Sequence, residues 1–346
     1  LCRTVALAVA FYCEWFVYVI QPLFWEELEC DQVSKCTKIL FIADPQIQGE
    51  QAVPPPLSLL INWDSDRYLK STFSKVLSHF KPDVLVYLGD LMDEGSISTR
   101  SEFHGYVKRL ANIYQIYYPQ VWLPGDNDIG GENEPIRQDK VEEFNKVFNQ
   151  PSVISFKNIT FYKVNSIMYK VPEELDDVDQ NIKIGVFHYP VDTAIHADIY
   201  FCAHEHTSKY VRQKRSFESK ETHKYQYKDP VLTIELGSEW LYEIFVPTCS
   251  YRMGTSKMGY GAAIVGRFMK FNLLLFKKIN KEINGRHVKY SQNGIATLRV
   301  ICLNLGNYSS WSYGDFIINC ANTKFSSFLS FTITVSHMLR YSKHAS

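Results

Sequence analysis

The sequence has no excess charge of either sign, since 37 lysines and arginines balance 37 aspartates and glutamates over 346 residues. A nucleic-acid-binding surface usually shows as a basic excess, so no nucleic-acid partner is expected. The eight cysteines contain no C-x-x-C pair, which argues against a zinc ribbon or a redox motif of the thioredoxin type. Cys30 and Cys36 could still pair as a disulfide, while the other six are expected to be small buried side chains unless the compartment is oxidising. No complete glycine-rich phosphate-binding fingerprint is present.

Long apolar runs are also scarce, and the first one lies at the start of the chain. Thr4 to Phe24 is almost wholly apolar or aromatic and has about the length that crosses a bilayer. We therefore predict a membrane anchor over residues 1–28. A signal peptide is the alternative, but the run continues into the bulky Leu23-Phe24-Trp25 instead of a small-residue cleavage site. Arg3 before the run and acidic residues after it place the body of the protein on the lumenal side.

The end of the chain has a different character. Residues 266–346 form a divergent region to which the sequence assigns no chemistry, with a second apolar run at 325–339 that could also span a membrane. Asn158 and Asn307 lie in glycosylation sequons, which are usable on the lumenal side.

Between these ends, short β-rich apolar runs alternate with segments of helical periodicity. The runs are 38–43, 84–88, 117–123, 182–187 and 199–203. Leu69, Phe73, Val76 and Phe80 recur at helical spacing after the first run, and Phe103, Val107 and Leu110 do so after the second. This alternation predicts an α/β fold over residues 36–265 with the ligand site at the carboxyl ends of the strands.

A polar residue of a type that binds metals follows each of the five runs. Taken singly, each has an ordinary explanation: Asp44 and Asp90 as helix caps, Gly125-Asp126-Asn127-Asp128 as a turn, and His188 as the end of a strand. The ordered set is harder to explain in that way. Two metal ions can activate water and neutralise phosphoryl oxygens together, and the set supplies the oxygen and nitrogen ligands that such a pair requires.

These blocks, in this order, resemble the signature of the calcineurin-like metallophosphoesterases. The resemblance implies a four-layer α/β sandwich, two divalent metal ions and hydrolysis of phosphoric esters. It also implies two sets of ligands that share Asp90 as the bridge. One ion would be held by Asp44, Gln46, Asp90 and His206, and the other by Asp90, Asp126, His188 and His204.

Further segments resemble the metallophosphoesterase 1 branch of this family. They are Tyr12-Cys13-Glu14-Trp15, Ala43-Asp44-Pro45-Gln46, Asp93-Glu94-Gly95, Asp128-Ile129-Gly130 and 246–252. The branch implies a manganese-dependent membrane enzyme of the early secretory pathway. The compartments implied are the exit sites of the endoplasmic reticulum, the intermediate compartment between the endoplasmic reticulum and the Golgi, and the Golgi. There it would remove ethanolamine phosphate from a mannose of GPI glycans during transport. The dilysine-type tail signal of that branch is missing from 342–346.

Two departures from the superfamily pattern affect the expected chemistry. Gln46 replaces the usual His and Asp126 the usual Asn, and oxygen ligands favour manganese over zinc. Asn127 replaces the His that acts as general acid, so it can donate a hydrogen bond to a phosphoryl oxygen but no proton at neutral pH.

His104 and His196 are the candidate proton donors nearest in sequence. Asp93 and Asp128 are expected to orient their neighbours.

Two other functions stay open on the sequence alone. A manganese-dependent phosphohydrolase of the nucleotide-diphospho-alcohol or ADP-ribose type can carry Gln in the first motif, although the apolar N-terminal run is atypical of that soluble class. A catalytically silent, membrane-anchored binding protein would retain the ligands while Asn127 prevents turnover.

Overall fold

The computed structural model describes residues 11–28, 30, 36–51, 53–114, 117–173, 181–190, 195–214, 220–224, 231–255, 257–266 and 269–277, with Thr4, Leu7 and Ala8. Phe11–Gln292 forms one compact unit, and the features described below lie in it. The sequon at Asn307 and the second apolar run at 325–339 fall outside the described residues, as does most of the region 266–346.

Two β-sheets form the centre of the fold. Among the described residues, the first has six strands in the order β10-β13-β12-β1-β2-β3, and the second has seven in the order β4-β5-β6-β7-β11-β8-β9. Their bounds are β1 Thr37–Ile42, β2 Val84–Tyr87, β3 Gln120–Trp122, β4 Val153–Phe156, β5 Ile159–Val164, β6 Ile182–Phe187, β7 Ile199–Cys202, β8 Lys209–Lys214, β9 Glu221–Lys224, β10 Val231–Ile234, β11 Trp240–Phe245, β12 Lys257–Val265 and β13 Met269–Lys277.

Parallel pairing joins the strands that carry the motifs. In the first sheet β1, β2 and β3 run parallel, with Leu40 opposite Leu85 and Val86 opposite Val121. In the second sheet β5, β6, β7 and β11 run parallel. β3 is shorter than the predicted run 117–123, because Tyr117 is almost fully exposed before the strand begins. β13 pairs along the whole of β12, so the first sheet continues past residue 265.

The apolar faces of the two sheets pack against each other. Phe41 of β1 stacks on Phe201 of β7 with ring centroids 3.9 Å apart, and Phe271 of β13 lies 5.7 Å from Phe201. All three are fully buried, and each buried Phe contributes about 1.5 to 3 kcal/mol to stability. The predicted alternation of strands and helices thus forms a sandwich in which the second sheet covers one face of the first.

Helices cover the other face of the first sheet. The helices are α1 Val17–Ile20, α2 Leu57–Phe80, α3 Arg100–Ile113, α4 Asp126–Ile129 and α5 Gln138–Phe148, and α1 lies between a π-helical turn, Tyr12–Phe16, and a 3₁₀ turn, Gln21–Phe24. The predicted apolar stripes on α2 and α3 are buried there, with Val107 partly exposed. Thr99 caps α3 through a reciprocal pair of hydrogen bonds with Glu102.

The described layers are therefore one of helices and two of strands. Within the described residues no helix covers the outer face of the second sheet, so the predicted fourth layer is not observed. That face carries a smaller apolar cluster that includes Phe187, Tyr200 and Phe245.

The N-terminal segment packs on the domain by one of its faces. Tyr18 contacts Tyr68 of α2 at 6.2 Å between rings, and Trp25 contacts His79 at 5.2 Å. Cys30 and Cys36, which follow the segment, form the suggested disulfide. Among the described helices, none combines the length and the apolarity that a membrane span requires.

Candidate metal centre

All seven predicted metal ligands lie at the carboxyl ends of strands, and the loops bring them together. Asp44 follows β1, Asp90 follows β2 and Asp126 follows β3 across a proline and a glycine, while His188 follows β6 and His204 follows β7. Because the parallel strands of each sheet end on one edge, the five loops meet at one end of the sandwich. Gln46 and His206 join the cluster two residues beyond Asp44 and His204.

The cluster forces the backbone into an unusual conformation. Five of the seven residues have positive φ: Asp44 at 47°, Gln46 at 45°, Asp90 at 51°, His204 at 64° and His206 at 58°. Such values are uncommon outside glycine and cost free energy, so they persist where the surrounding structure fixes them, typically at functional sites. Nothing in the sequence indicated this strain.

Two glycines let the loops approach one another. Gly125 lies so close to Asp90 that an added Cβ would be 2.0 Å from Asp90 Oδ1. Gly89 has φ of 96°, and a Cβ there would be 2.6 Å from His188 Nδ1. Both glycines therefore make room for side chains of the cluster, a role that is independent of any phosphate-binding fingerprint.

Asp126, His188 and His204 form one group of potential ligands. Asp126 Oδ1 lies 3.0 Å from His188 Nε2 and 3.4 Å from His204 Nδ1. His188 Nδ1 lies 2.8 Å from the Leu88 carbonyl oxygen. Since a carbonyl can only accept, Nδ1 carries the proton and Nε2 faces Asp126 and Asp90, the arrangement that orients a histidine ligand.

Asp44, Asp90 and His188 form a second group, which Gln46 and His206 extend. Asp90 Oδ1 lies 3.4 Å from His188 Nε2, and Gln46 Nε2 donates to Asp90 Oδ2 at 3.1 Å. Gln46 Nε2 also lies 3.4 Å from His206 Nε2. Asp90 touches members of both groups, which is the position that a bridging carboxylate requires.

The buried and charged surroundings of the cluster shift the pKa values of its side chains. Burial raises the pKa of Asp44 and of Asp90, partly offset by His188. Burial also opposes ionisation of Asp126, but hydrogen bonds from His188 and His204 outweigh it and hold the pKa of Asp126 well below its usual range. The pKa of His188 rises to about 10 because the surrounding aspartates outweigh its burial.

The donor set fits divalent metal ions. Asp44 is fully buried, and its Oδ2 has no hydrogen-bond partner among the described residues. A buried carboxylate oxygen without a partner is costly unless a cation compensates it. Burial and the neighbouring histidines His204 and His188 lower the pKa of His206 to about 4, so its imidazole is neutral and able to ligate at neutral pH.

Asn127 and Asp128 lie in the short helix α4 beside the cluster. Asn127 donates its backbone N–H to Asp90 Oδ1 at 3.0 Å and its side-chain amide to Asp90 Oδ2 at 2.9 Å. Asp128 is buried and accepts backbone N–H groups from Leu91, Met92 and Gly125 at 3.1, 2.9 and 2.8 Å. Asp128 thereby ties the Asp90 loop to the Asp126 loop, and its role in the reaction stays a prediction.

The other candidates differ in their placement. Asp93 accepts from Arg252 Nη2 at 2.6 Å, while Arg252 Nη1 donates to the Gln46 carbonyl at 3.2 Å. His104 is exposed on α3 and His196 is exposed ahead of β7, so the contacts that build the cluster include neither predicted proton donor.

Sequence reasoning missed two residues at the site. Tyr189 packs edge-to-face against His204 with ring centroids 4.1 Å apart, and Arg252 donates a hydrogen bond to the Gln46 carbonyl. Tyr189 directly follows His188, so its position in sequence was a usable signal. Arg252 is 206 residues from Gln46, and no local pattern connects the two.

A buried cluster of carboxylates and imidazoles at the strand ends of an α/β sandwich defines a metal-dependent hydrolase site. Residues 37–208 match the family Calcineurin-like phosphoesterase, and this domain of the chain belongs to that family. The predicted family is thus confirmed for this domain, and hydrolysis of phosphoric esters is the activity that membership of this family supports.

Curated relatives share the same region. The chain is 30% identical to Metallophosphoesterase 1 of Cricetulus griseus over 172 residues, which cover 47% of this chain and 42% of that protein. It is 30% identical to Metallophosphoesterase 1 of Danio rerio over 167 residues, covering 46% and 42%. The chain thus spans less than half the length of these relatives.

A solved metallophosphoesterase from Sphaerobacter thermophilus is similar over 79% of this chain and 95% of its own, at 14% identity and a TM-score of 0.36. That likeness is too distant to bear on function.

Proposed function

We propose that this protein is a manganese-dependent phosphodiesterase that removes ethanolamine phosphate from a mannose of GPI anchors. The observation that carries the hydrolytic part is the convergence of seven side chains with N and O donor atoms, in which Asp90 is surrounded by the other six. The substrate and the manganese preference rest on the resemblance to the metallophosphoesterase 1 branch and on the oxygen donors Gln46 and Asp126. We place the enzyme in membranes of the early secretory pathway, anchored by residues 1–28, with the domain in the lumen.

Two divalent ions fit the cluster as two overlapping sets. Asp44, Gln46, Asp90 and His206 would hold one, and Asp90, Asp126, His188 and His204 the other. When bound, the ions would neutralise the phosphoryl oxygens and lower the pKa of the attacking water. Gln46 presents its amide nitrogen to Asp90, and a half-turn of the terminal torsion exchanges nitrogen and oxygen so that the oxygen can ligate.

The remaining residues of the site position and polarise the substrate. One Asn127 amide proton is donated to Asp90, and the other is available to a phosphoryl oxygen. Asp128 keeps Asn127 in place through the loop contacts described above. An amide supplies no proton, so the leaving alkoxide takes its proton from water at this site.

The direct test is hydrolysis of bis(p-nitrophenyl) phosphate by the purified full chain with Mn²⁺. We expect turnover that Asp90→Asn abolishes, because the substitution removes the charge that both ligand sets share. Two bound ions per chain without turnover would contradict the hydrolase and leave the silent binding protein. Turnover of ADP-ribose in preference to phosphodiesters would support the nucleotide class instead.

The substrate needs a separate measurement. In cells lacking the gene, GPI glycans should retain ethanolamine phosphate on the mannose, and the wild-type chain should restore its removal while Asp90→Asn should not. An unchanged glycan would refute the GPI assignment and leave the hydrolytic activity standing.

A further inference from the structure

Two large apolar side chains are exposed on the N-terminal half of α2. Leu59 is 64% exposed and Trp63 is 60% exposed, and they lie one helical turn apart on the same face. The opposite face of α2 is buried through residues such as Asn62, Ser65 and Leu69. A single exposed apolar residue is ordinary, but an adjacent Leu and Trp form a patch that favours contact with another apolar surface.

The N-terminal segment presents a second exposed aromatic surface on the same unit. Tyr18 and Trp25 pack against the helical core cluster, whereas Trp15 and Phe24 remain 55% and 79% exposed. Phe11, Tyr12, Phe16 and Leu23 are exposed as well. This segment therefore has apolar residues on both faces, and packing on the domain covers only one of them.

Residues 11–16 of this aromatic surface lie toward the same end of α2 as Leu59 and Trp63, whereas Leu23 and Phe24 precede Trp25 at the other end. Tyr18 lies beside Tyr68 and Trp25 lies beside His79, so the segment and α2 run in the same direction. Residues that precede Tyr18 in the segment accordingly lie toward the part of α2 that precedes Tyr68. That part contains Leu59 and Trp63.

Cationic groups border the patch. The Arg67 guanidinium lies 4.9 Å from the centre of the Trp63 ring and forms an ion pair with Asp64 at 2.9 Å. Lys70 is exposed one turn further along α2. Surfaces that bind at the headgroup level of a bilayer typically combine tryptophan and leucine with arginine and lysine. The apolar side chains enter the boundary between headgroups and acyl chains, and the cations contact lipid phosphates.

Hydrogen bonds also connect the part of α2 beside the patch to the metal centre. Asp64, next to Trp63, accepts a hydrogen bond from the Tyr251 hydroxyl at 2.8 Å. The following residue, Arg252, donates to the Gln46 carbonyl. These hydrogen bonds link Asp64, the residue beside Trp63, to Gln46, a predicted metal ligand.

We propose that Leu59 and Trp63, together with the exposed side chains of Phe11, Tyr12, Trp15 and Phe16, form a docking surface for the lipid bilayer interface. The docking surface extends membrane contact from the N-terminal segment onto the catalytic domain. The inference rests on the proposed membrane location, and its test requires no catalytic activity, so it can fail or succeed independently of the hydrolase.

The test is quenching of tryptophan fluorescence in the full chain by vesicles of brominated phosphatidylcholine and phosphatidylserine. Trp63→Phe keeps an apolar ring but removes the fluorophore. We expect the quenched fraction of the emission to fall in Trp63→Phe, because Trp63 contacts the brominated chains in the wild type.

The matched control is Trp240→Phe on β11, where the ring lies 4.5 Å from the Arg212 guanidinium and well removed in sequence from the docking surface. Removing that unquenched emitter should raise the quenched fraction.

A second measurement uses binding in place of fluorescence. The double variant Leu59→Ser, Trp63→Ser should bind the same vesicles about tenfold more weakly, since binding scales with buried apolar area. Val147→Ser, which alters an exposed apolar residue on α5, should bind as the wild type does. An unchanged quenched fraction in Trp63→Phe would overturn the proposal. The proposal would also be overturned if, without lipid, Trp63 became protected from an aqueous quencher as the protein concentration rises. That result would indicate that a second copy of the chain covers the surface.

Discussion

The Asn127 side-chain amide donates a hydrogen bond of 2.9 Å to Asp90 Oδ2, the oxygen that also accepts from Gln46. Asn127 thus contacts the carboxylate that joins the two ligand groups, in the position where an imidazole is usual in the family. In this position Asn127 can polarise a phosphoryl oxygen by hydrogen bonding, but it cannot protonate the leaving group. Its substitution should therefore separate the two effects.

We expect Asn127→Ala to lower kcat by roughly 10²-fold, the usual loss for one donor to a developing oxyanion. Asn127→His should restore the rate most for substrates with poor leaving groups, because an imidazole can protonate the departing alkoxide. The measurement is kcat for a series of phosphodiesters of rising leaving-group pKa. Equal recovery across the series would contradict the assignment, and an unchanged manganese stoichiometry is the control for site integrity.

Asp126 should determine how tightly the second ion binds. Its carboxylate lies 3.0 Å from His188 and 3.4 Å from His204, and Asp126→Asn would keep the shape while removing the charge. We expect the affinity for one of two manganese ions to fall by about 10 to 100-fold. Isothermal titration with Mn²⁺ would show two separated binding steps, whereas a single unchanged affinity would show that the negative charge of Asp126 contributes nothing to ion binding.

Metal binding should stabilise the folded domain. Asp44 and Asp90 are fully or almost fully buried, and burial raises the pKa of both carboxyl groups, so a bound cation relieves a cost present in the metal-free state. Manganese at 100 times its Kd should add about 2.7 kcal/mol per site to the free energy of unfolding. Thermal unfolding with Mn²⁺ and with a chelator measures the difference, and identical transitions would contradict the two-ion site. Asp139→Asn, which alters an exposed carboxyl group, should retain the full stabilisation.

Arg252 should act by positioning Gln46. Its guanidinium bonds to Asp93 at 2.6 Å and to the Gln46 carbonyl at 3.2 Å, and lysine cannot span both. In Arg252→Lys we expect the manganese concentration for half-maximal activity to rise about tenfold while kcat at saturating manganese stays near the wild-type value. Arg137→Lys, at an exposed ion pair with Asp139, is the matched control. A fall in kcat at saturation would instead place Arg252 on the substrate.

Lys163 on β5 should make stability depend on alkaline pH. Burial lowers its pKa to about 8 from 10.5, so the folded state loses the proton first as pH rises. The cost of burying the charge is complete below pH 8 and disappears as pH rises toward 10.5. Lys163→Met should therefore stabilise the protein by about 1 to 3 kcal/mol at pH 7 and by little at pH 10.5. Denaturant unfolding at both values tests this, with the exposed Lys146→Met expected to show no such dependence.

The sequence by itself determined the strands that carry the site and the residues that could bind metal. Apolar runs of strand length identify β1, β2, β6 and β7, because burying both faces of a central parallel strand demands such runs. The helical stripes on α2 and α3 followed from the period of 3.6 residues. The placement of Asp44, Asp90, Asp126, His188 and His204 followed from the rule that strand ends share an edge.

The tertiary structure decided how these residues meet. Left-handed backbone at Asp44, Gln46, Asp90, His204 and His206, and the approach of Gly89 and Gly125, arise from packing between loops far apart in sequence. The support of Gln46 by Arg252 and the exposure of Leu59 and Trp63 depend on contacts that no local period encodes. The order of residues fixes the available ligands, but only packing fixes the distances and charges that make them a metal centre.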